Sequence, residues 1–218
     1  MKSKLKIIYI YDALCSWCFG FSPVMRAVHE NYSDEFEFEI LSGGMILGDQ
    51  VERVDRPSGP SIESFKSIED ITGIKFGTAF IHNYEFGEMV FNSEMPAIAL
   101  SVFKSIAPIT AMEFAQQIQN SIYYDGKNPD DIDLYRYLAA NNSIDPDLFE
   151  VKMSMTEFKE AAYYEFALAK QLQVSNYPAV LIQATESKFY LVARGYADYE
   201  TMELRINNVI LEIGDQAD

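Results

Sequence analysis

The chain has 218 residues and a net charge of −16, with 33 acidic and 17 basic side chains. This acidic balance argues against nucleic acid and against an anionic membrane surface as partners, because both attract basic patches. Hydrophobic residues make up 49% of the sequence, which is typical of a globular chain with its own core. No apolar run approaches the roughly 20 residues that a membrane span needs, so we expect no membrane insertion.

The first part of the chain predicts a strand, a helix and a second strand. The apolar run 5–11 (LKIIYIY) is typical of a buried strand in a mostly parallel sheet. A helix should begin at Cys15 or Ser16 and continue to about Tyr32. Residues 35–41 alternate between acidic and apolar side chains, which predicts a strand at or near a sheet edge.

The middle of the chain predicts helices. Residues 45–60 contain several glycines and prolines and should form an irregular excursion. From about 61 to 173 the pattern is helical, with no comparable strand candidate. Helix starts are expected at Ser93-Glu94, at Thr110 with Glu113, at Asp130 or Asp131, at Asp145 before Pro146, and at Ser154 with Glu157, where the Thr110 and Ser154 pairs are capping-box patterns.

The end of the chain returns to strand patterns. Residues 178–182 and 189–193 are apolar runs joined by a short polar loop, which predicts an antiparallel hairpin. A last helix should start near Tyr199 and cover the sheet. Two strands cannot make a stable sheet alone. We therefore expect an α/β fold in which residues 1–45 and 174–218 form one mixed sheet domain (β-α-β, then β-β-α), interrupted by an all-helical inserted domain at 46–173.

The candidate reactive group is Cys15-Ser16-Trp17-Cys18, which holds both cysteines of the chain. A C-x-x-C between a strand and a helix is typical of thiol redox chemistry. The N–H groups at a helix N-terminus stabilise a nearby anion such as a thiolate. The second thiol lies one turn further on and can attack a mixed disulfide. We expect both thiols to be exposed and Trp17 to be partly exposed between them.

This pattern resembles the thioredoxin superfamily, since Pro23 follows the C-x-x-C by five residues and a late strand opens with Pro178. The helical block between the second and third strands is similar to that of the DsbA-like branch. The stretches CSWCFGFSPVM, LSGGM, NYPAVLI and RGY resemble FrnE-type predicted protein-disulfide isomerases. The resemblance covers most of the chain, in order.

The resemblance implies a role for each site residue. Cys15 matches the nucleophilic thiol and Cys18 the resolving thiol. Pro178 matches a cis-proline that faces the active site, which makes Tyr177-Pro178 the candidate substrate-binding loop. Tyr177 is larger than the small or β-branched residue that often precedes this proline. Asp12 is a candidate for the buried acid that lies beneath the thiols in thioredoxin.

The predicted function is that of a cytoplasmic thiol-disulfide oxidoreductase or isomerase. The short N-terminal apolar stretch contains Lys6, ends at Asp12 and lacks a small-residue cleavage site, which favours a first strand over a signal peptide. Its substrates would be proteins or small thiols and disulfides, with no separate cofactor besides the redox-active Cys15–Cys18 pair. Glutathione or a thioredoxin-type reductant would reset the thiols. Because Ser16 and Trp17 carry no positive charge, we expect a more reducing or isomerising protein than DsbA.

Two other functions stay open. One is a non-catalytic DsbA-like adaptor that binds a client and uses the thiols as a redox switch. The other is a glutathione-dependent small-molecule isomerase or transferase, as in kappa-class glutathione transferases, although such enzymes typically carry a lone serine at the first position.

A zinc site is not expected, because His29 and His82 are the chain's histidines and neither has finger spacing. We expect His29 to act as a helix-end cation and His82 to be structural. The aromatic-rich stretch Phe76–Phe91 could line a groove over the thiols, but core packing is favoured.

Overall fold

The computed structural model describes residues 4–53, 60–87 and 89–215. Part of the predicted excursion, including Pro57 and Gly59, lies outside the described residues. The strands are β1 (Leu5–Tyr11), β2 (Phe36–Ser42), β3 (Glu52–Arg53), β4 (Val90–Phe91), β5 (Ala179–Gln183) and β6 (Phe189–Arg194). The helices are α1 (Ser16–Tyr32), α2 (Ile62–Thr72), α3 (Thr78–Glu85), α4 (Glu94–Ile106), α5 (Ala111–Tyr123), α6 (Ile132–Asn141), α7 (Pro146–Met153), α8 (Thr156–Gln171) and α9 (Tyr199–Asp215).

The main sheet has four strands in the order β2-β1-β5-β6. β1 pairs with β2 in parallel and with β5 in antiparallel orientation, and β5 and β6 form the predicted antiparallel hairpin. The predicted mixed α/β sheet and the edge position of β2 are confirmed. The expectation that β1 lies in a mostly parallel sheet is wrong, because the hairpin returns antiparallel to it.

A second, two-stranded sheet joins β3 to β4. It lies within the part of the chain predicted to be all helical, so that prediction is wrong at this point. Each strand has two residues, which is too short for a periodicity of two to be visible in the sequence. Otherwise the described residues between β2 and β5 form helices, turns and loops.

The helix starts differ in how well local sequence predicted them. Asp131 and Asp145 accept hydrogen bonds from backbone N–H groups of α6 and α7, as expected for N-cap residues. The prediction of capping boxes at Thr110 and Ser154 is wrong. Both hydroxyls donate to the carbonyl three residues earlier instead, at Ala107 and Val151. This competing side-chain bond ends the preceding turn and leaves the cap unformed.

Both faces of the sheet are buried. Successive residues of β1 point to opposite sides, so this strand contributes side chains to a core on each face. Ile7, Tyr9 and Tyr11 belong to the larger apolar core, which they share with α1 and the helices of the central block. Ile8 and Ile10 pack with residues of α8 and β5 on the other side. β1 therefore lies between the two cores, and the C-x-x-C follows its carboxyl end in the sequence.

The aromatic-rich stretch contributes to the larger core, as predicted. Four of its rings, those of Phe76, Phe80, Tyr84 and Phe91, are buried. Phe76 also lies 5.4 Å from Phe19 of α1, measured between ring centroids. The central helices are thereby packed directly against the helix that carries the thiols.

None of the described helices combines the length and the apolarity that crossing a bilayer requires.

Candidate active site

Cys15 lies at the start of α1, as the sequence predicted. It is the N-cap residue, with extended backbone angles, and its N–H donates to the carbonyl of Asp12 at 3.1 Å. Cys18 follows in the first turn, where its N–H donates to the Cys15 carbonyl at 2.9 Å. This helical turn places both thiols on the same end of α1.

The two thiols differ in burial, and neither is exposed. Cys15 retains 7% of its exposure and Cys18 none. The expectation of two exposed thiols is therefore wrong, because the loop before β5 packs against Cys15 and is itself held by the loop after β2. The prediction for Trp17 is confirmed, since it is partly buried, and its ring lies 6.4 Å from that of Tyr196.

The loop that precedes β5 faces the first thiol. The Tyr177–Pro178 peptide bond is cis, as the resemblance implied. The Cys15 thiol donates to the Tyr177 carbonyl at 3.5 Å, and the Gly195 N–H donates to the Pro178 carbonyl at 2.7 Å. The structure thus brings together all the predicted site residues of the C-x-x-C and the proline loop.

A glycine accommodates the large side chain of Tyr177. Its hydroxyl donates to the Gly43 carbonyl at 2.7 Å, and its ring occupies the space beside the Gly43 Cα. A Cβ at Gly43 would lie only 2.2 Å from the ring. Burial, followed by the charge of Asp12, raises the pKa of Tyr177 to about 12, so the phenol is neutral at physiological pH. The sequence had indicated Gly43 only as the end of β2.

Asp12, the candidate buried acid, is buried at the end of β1, with 2% exposure. Its carboxylate accepts from the Leu14 N–H at 2.9 Å, the Met45 N–H at 2.7 Å and the Ser93 hydroxyl at 3.0 Å. Burial raises the pKa of Asp12, and these three donors oppose the shift. The carboxylate ties the C-x-x-C loop to the loop after β2 and to the start of α4.

Ser93 is a site residue that sequence reasoning placed only at a helix start. As the N-cap of α4 it makes no side-chain bond to its own helix. Its hydroxyl donates to Asp12 and accepts from the Ile46 N–H at 3.0 Å. A serine before a helix is read as a cap, and nothing local signals that its partner lies 81 residues away.

The pKa of Cys18 is raised well above its usual range. Burial is the main cause, and the hydrogen bond with Cys15 and the charge of Cys15 add to it. The N–H of Asp12 acts in the opposite direction. Cys18 is therefore a neutral thiol at physiological pH, which holds its proton until an acceptor removes it.

Neither histidine belongs to the C-x-x-C or to the proline loop. His29, in the last turn of α1, lies 3.9 Å from a Glu113 oxygen, and His82 is exposed on α3 beside Phe86. No three His, Cys, Asp or Glu side chains group as metal ligands in residues 4–53, 60–87 and 89–215. A cavity of about 840 Å³ lies among the central helices, but neither cysteine lines it.

No protein-family model matches the chain. A curated relative, the ClpXP adapter protein SpxH of Bacillus subtilis (strain 168), is 21% identical over 186 residues, or 85% of this chain. The chain spans about 60% of the length of that relative.

Solved structures match over nearly the whole chain. A candidate protein disulfide isomerase from Nitrosomonas europaea superposes with a TM-score of 0.82 at 21% identity, covering 96% of this chain and 99% of the other. The cytosolic disulfide reductase DsbM of Pseudomonas aeruginosa gives a TM-score of 0.76 at 19% identity, covering 98% and 100%. DsbM has also been solved with GSH. These likenesses establish the fold.

Proposed function

We propose that this chain, which has the DsbA-like form of the thioredoxin fold, is a thiol-disulfide oxidoreductase with Cys15 as nucleophile and Cys18 as resolving thiol. One observation carries the proposal. The Cys15 sulfur lies at the N-terminus of α1 against the Tyr177 carbonyl at 3.5 Å, while Cys18 is fully buried one turn behind it. An outer nucleophile and a protected second thiol are the parts that two-step disulfide exchange needs.

The reaction follows from this asymmetry. The Cys15 thiolate attacks one sulfur of a substrate disulfide, forms a mixed disulfide and expels the other sulfur as a thiolate. Cys18 then loses its proton and attacks Cys15, which forms the Cys15–Cys18 disulfide and releases the second substrate thiolate. The substrate disulfide is reduced by two electrons and the protein dithiol is oxidised. Reversal of the steps oxidises a substrate, and release of the mixed disulfide after rearrangement isomerises one.

The surroundings of Cys15 suggest how a substrate binds. The Tyr177–Pro178 backbone lies beside the sulfur, and Trp17 with Tyr196 offers partly exposed aromatic surface next to it. A peptide or a small disulfide could lie along this edge. The GSH-bound structure of DsbM supports glutathione as the reductant that resets the thiols, and a thioredoxin-type protein is the alternative reductant. A cytoplasmic location, with no separate cofactor, belongs to the same proposal.

The proposal is tested by trapping. Cys18→Ser should accumulate a mixed disulfide at Cys15 when mixed with oxidised glutathione or insulin, because the resolving thiol is gone. The wild type should reduce insulin with glutathione as electron source, and Cys15→Ser should do neither. A wild-type protein that exchanges no disulfide would contradict the proposal, and tight glutathione binding without a mixed disulfide would favour the small-molecule alternative.

A client-binding adaptor is the second candidate, and the similarity to the adapter protein SpxH favours it. The substitution Cys15→Ser has different expected effects for the two functions. An adaptor binds its client equally well after Cys15→Ser and shows little insulin reduction. An oxidoreductase loses turnover with that substitution. Co-purification of clients with wild-type and Cys15→Ser protein, followed by insulin reduction, distinguishes the two.

A further inference from the structure

A small cavity lies between β1, α1 and α5. Its volume is about 20 Å³, and its polar lining comes from Tyr9, Tyr11, Ser22, Glu113, Gln116 and Gln119. A buried water molecule needs about 10–15 Å³ and two to four polar partners. The cavity meets both conditions and therefore suits water.

Three buried polar atoms of the lining also indicate that water occupies the cavity. The hydroxyls of Tyr9 and Tyr11 and the Oε2 of Glu113 are buried and find no hydrogen-bond partner within the described part of the chain. Buried polar groups in folded proteins are nearly always hydrogen-bonded, to protein or to ordered water. Water in the cavity would satisfy all three.

Tyr9 lines this cavity and is a neighbour of the resolving thiol. The side chain retains 3% exposure, and its ring lies 5.8 Å from that of Tyr11. Burial and then the neighbouring Cys18 and Cys15 sulfurs raise the pKa of Tyr9. A buried hydroxyl without a hydrogen-bond partner in the described residues thus lies among the groups around Cys18.

Glu113 belongs to the cavity lining and also reaches solvent. Its side chain is 45% exposed and its Oε1 lies 3.9 Å from the His29 Nδ1, while its Oε2 is buried. Arg26, which is exposed on α1, lines the same cavity. A proton that reaches the Glu113 carboxylate can leave to bulk water.

We propose that this cavity is the route by which the Cys18 proton leaves and returns, through the Tyr9 hydroxyl and cavity water to Glu113. The inference rests on the proposed function, because that function requires a fully buried thiol to become a thiolate. Cys18 passes its proton to the Tyr9 oxygen while Tyr9 passes its own proton to water, which protonates Glu113. The Cys18 thiolate attacks Cys15, the Cys15–Cys18 bond forms, and the bond from Cys15 to the substrate breaks. The substrate thiolate takes a proton from solvent, and Glu113 returns its proton to solvent.

Other titratable groups also face Cys18, but they suit this role less well. They are Cys15 on α1, Tyr11 and Asp12 at the end of β1, Tyr123 on α5 and Tyr177 before β5. Cys15 is bonded to the substrate during this step. The Asp12 carboxylate already accepts three hydrogen bonds. Tyr123 is outside the cavity lining, and Tyr177 donates to Gly43.

The test separates the two chemical steps. Mixing reduced protein with Ellman's reagent releases one aromatic thiolate when Cys15 attacks and a second when Cys18 closes the disulfide. With Tyr9→Phe we expect an unchanged first phase. The second phase should slow by about tenfold or more at neutral pH, the low end of what general acid–base catalysis contributes. The deficit should vanish at high pH, where hydroxide removes the Cys18 proton directly.

Two further variants complete the experiment. Tyr123→Phe removes another buried, unpartnered hydroxyl close to the thiols but outside the cavity, and should close at the wild-type rate. Glu113→Gln should slow the second phase as Tyr9→Phe does, and it decides the outcome if Tyr9→Phe fails to fold.

The inference is overturned if Tyr9→Phe closes with the wild-type pH profile, or if it and Tyr123→Phe slow equally at every pH. A wild type that lacks even the first phase would instead overturn the proposed function.

Discussion

The side chain of Tyr177 fits against the backbone of Gly43. The tyrosine hydroxyl donates to the Gly43 carbonyl at 2.7 Å across 134 residues of sequence. The ring takes the space that a Gly43 side chain would need, since a Cβ there would lie 2.2 Å from it. This contact joins the loop after β2 to the loop whose carbonyl faces Cys15.

Gly43→Ala should therefore disturb the site as well as the fold. We expect a loss of about 1–3 kcal/mol in the free energy of unfolding, as for other overpacked sites, together with slower attack by Cys15. Urea unfolding and the first phase of the Ellman's reaction measure these effects. Gly214→Ala, where the added Cβ meets nothing within 4 Å, is the control.

The same substitution should cost much less when Tyr177 is replaced by serine, because the clashing ring is gone. A double-mutant cycle of Gly43→Ala and Tyr177→Ser measures this coupling. Additive free energies in the cycle would show that the ring and the glycine do not interact as described.

Asp12→Asn should destabilise the loops around the thiols. The carboxylate accepts from three donors, whereas an amide would turn its NH2 group toward at least one N–H or O–H. We expect a loss of about 1–3 kcal/mol, the usual cost of leaving a buried group unpaired, measured by urea unfolding. Asp198→Asn is the matched control, since this exposed residue accepts from the Thr201 N–H and asparagine is an equally good cap. Equal losses in both variants would contradict a special role for Asp12.

The raised pKa of Cys18 predicts a pH dependence of stability. The folded state keeps this thiol protonated at a pH where the unfolded thiol, with a pKa of about 8.5, has begun to ionise. The contribution of Cys18 is therefore complete below about pH 8.5 and is lost as the pH rises toward its folded pKa. Urea unfolding from pH 7 to 10 should show a steeper decline for Cys15→Ser than for Cys15→Ser with Cys18→Ser. Parallel curves would contradict the shift.

Lys104 links the helices to the edge strand of the sheet. Its amine donates to the Ile40 carbonyl and to Glu165 Oε1 at 2.6 Å, while Glu165 Oε2 accepts from the Ser42 N–H at 2.8 Å. Lys104→Met leaves this largely buried carboxylate without its counterion. We expect a loss of roughly 2–3 kcal/mol, somewhat below that for fully buried pairs, as measured by urea unfolding.

Lys159→Met is the matched control for that substitution, because its pair with Glu94 is more exposed. It should cost at most about 1 kcal/mol. A similar loss in both variants would mean that burial does not distinguish the two pairs.

The reduction potential should be more negative than the value of about −120 mV for DsbA, whose reduced form is unusually stabilised. Here no basic residue lies between the thiols, and burial keeps Cys18 protonated. A glutathione titration followed by the fluorescence of Trp17, the only tryptophan, measures the potential. Quantifying free thiols at each point is the control, and a potential near that of DsbA would contradict the expectation.

Several elements were predictable because their causes are local. The apolar run of β1, the alternation of β2 and the hairpin of β5 and β6 each carry their own periodicity. Asp131 and Asp145 cap the helices that they precede. The C-x-x-C at a helix start and the proline before β5 were also visible, and the resemblance implied that the two would meet.

The sequence by itself thus determined where the strands lie and which two thiols are available for chemistry, because periodicity and capping act within a few residues. Only the tertiary structure decided what surrounds those thiols. Asp12 meets Ser93 over 81 residues and Tyr177 meets Gly43 over 134. Such contacts depend on how separate segments pack. Burial then made the two chemically similar cysteines unequal, with Cys15 close to the surface and Cys18 enclosed.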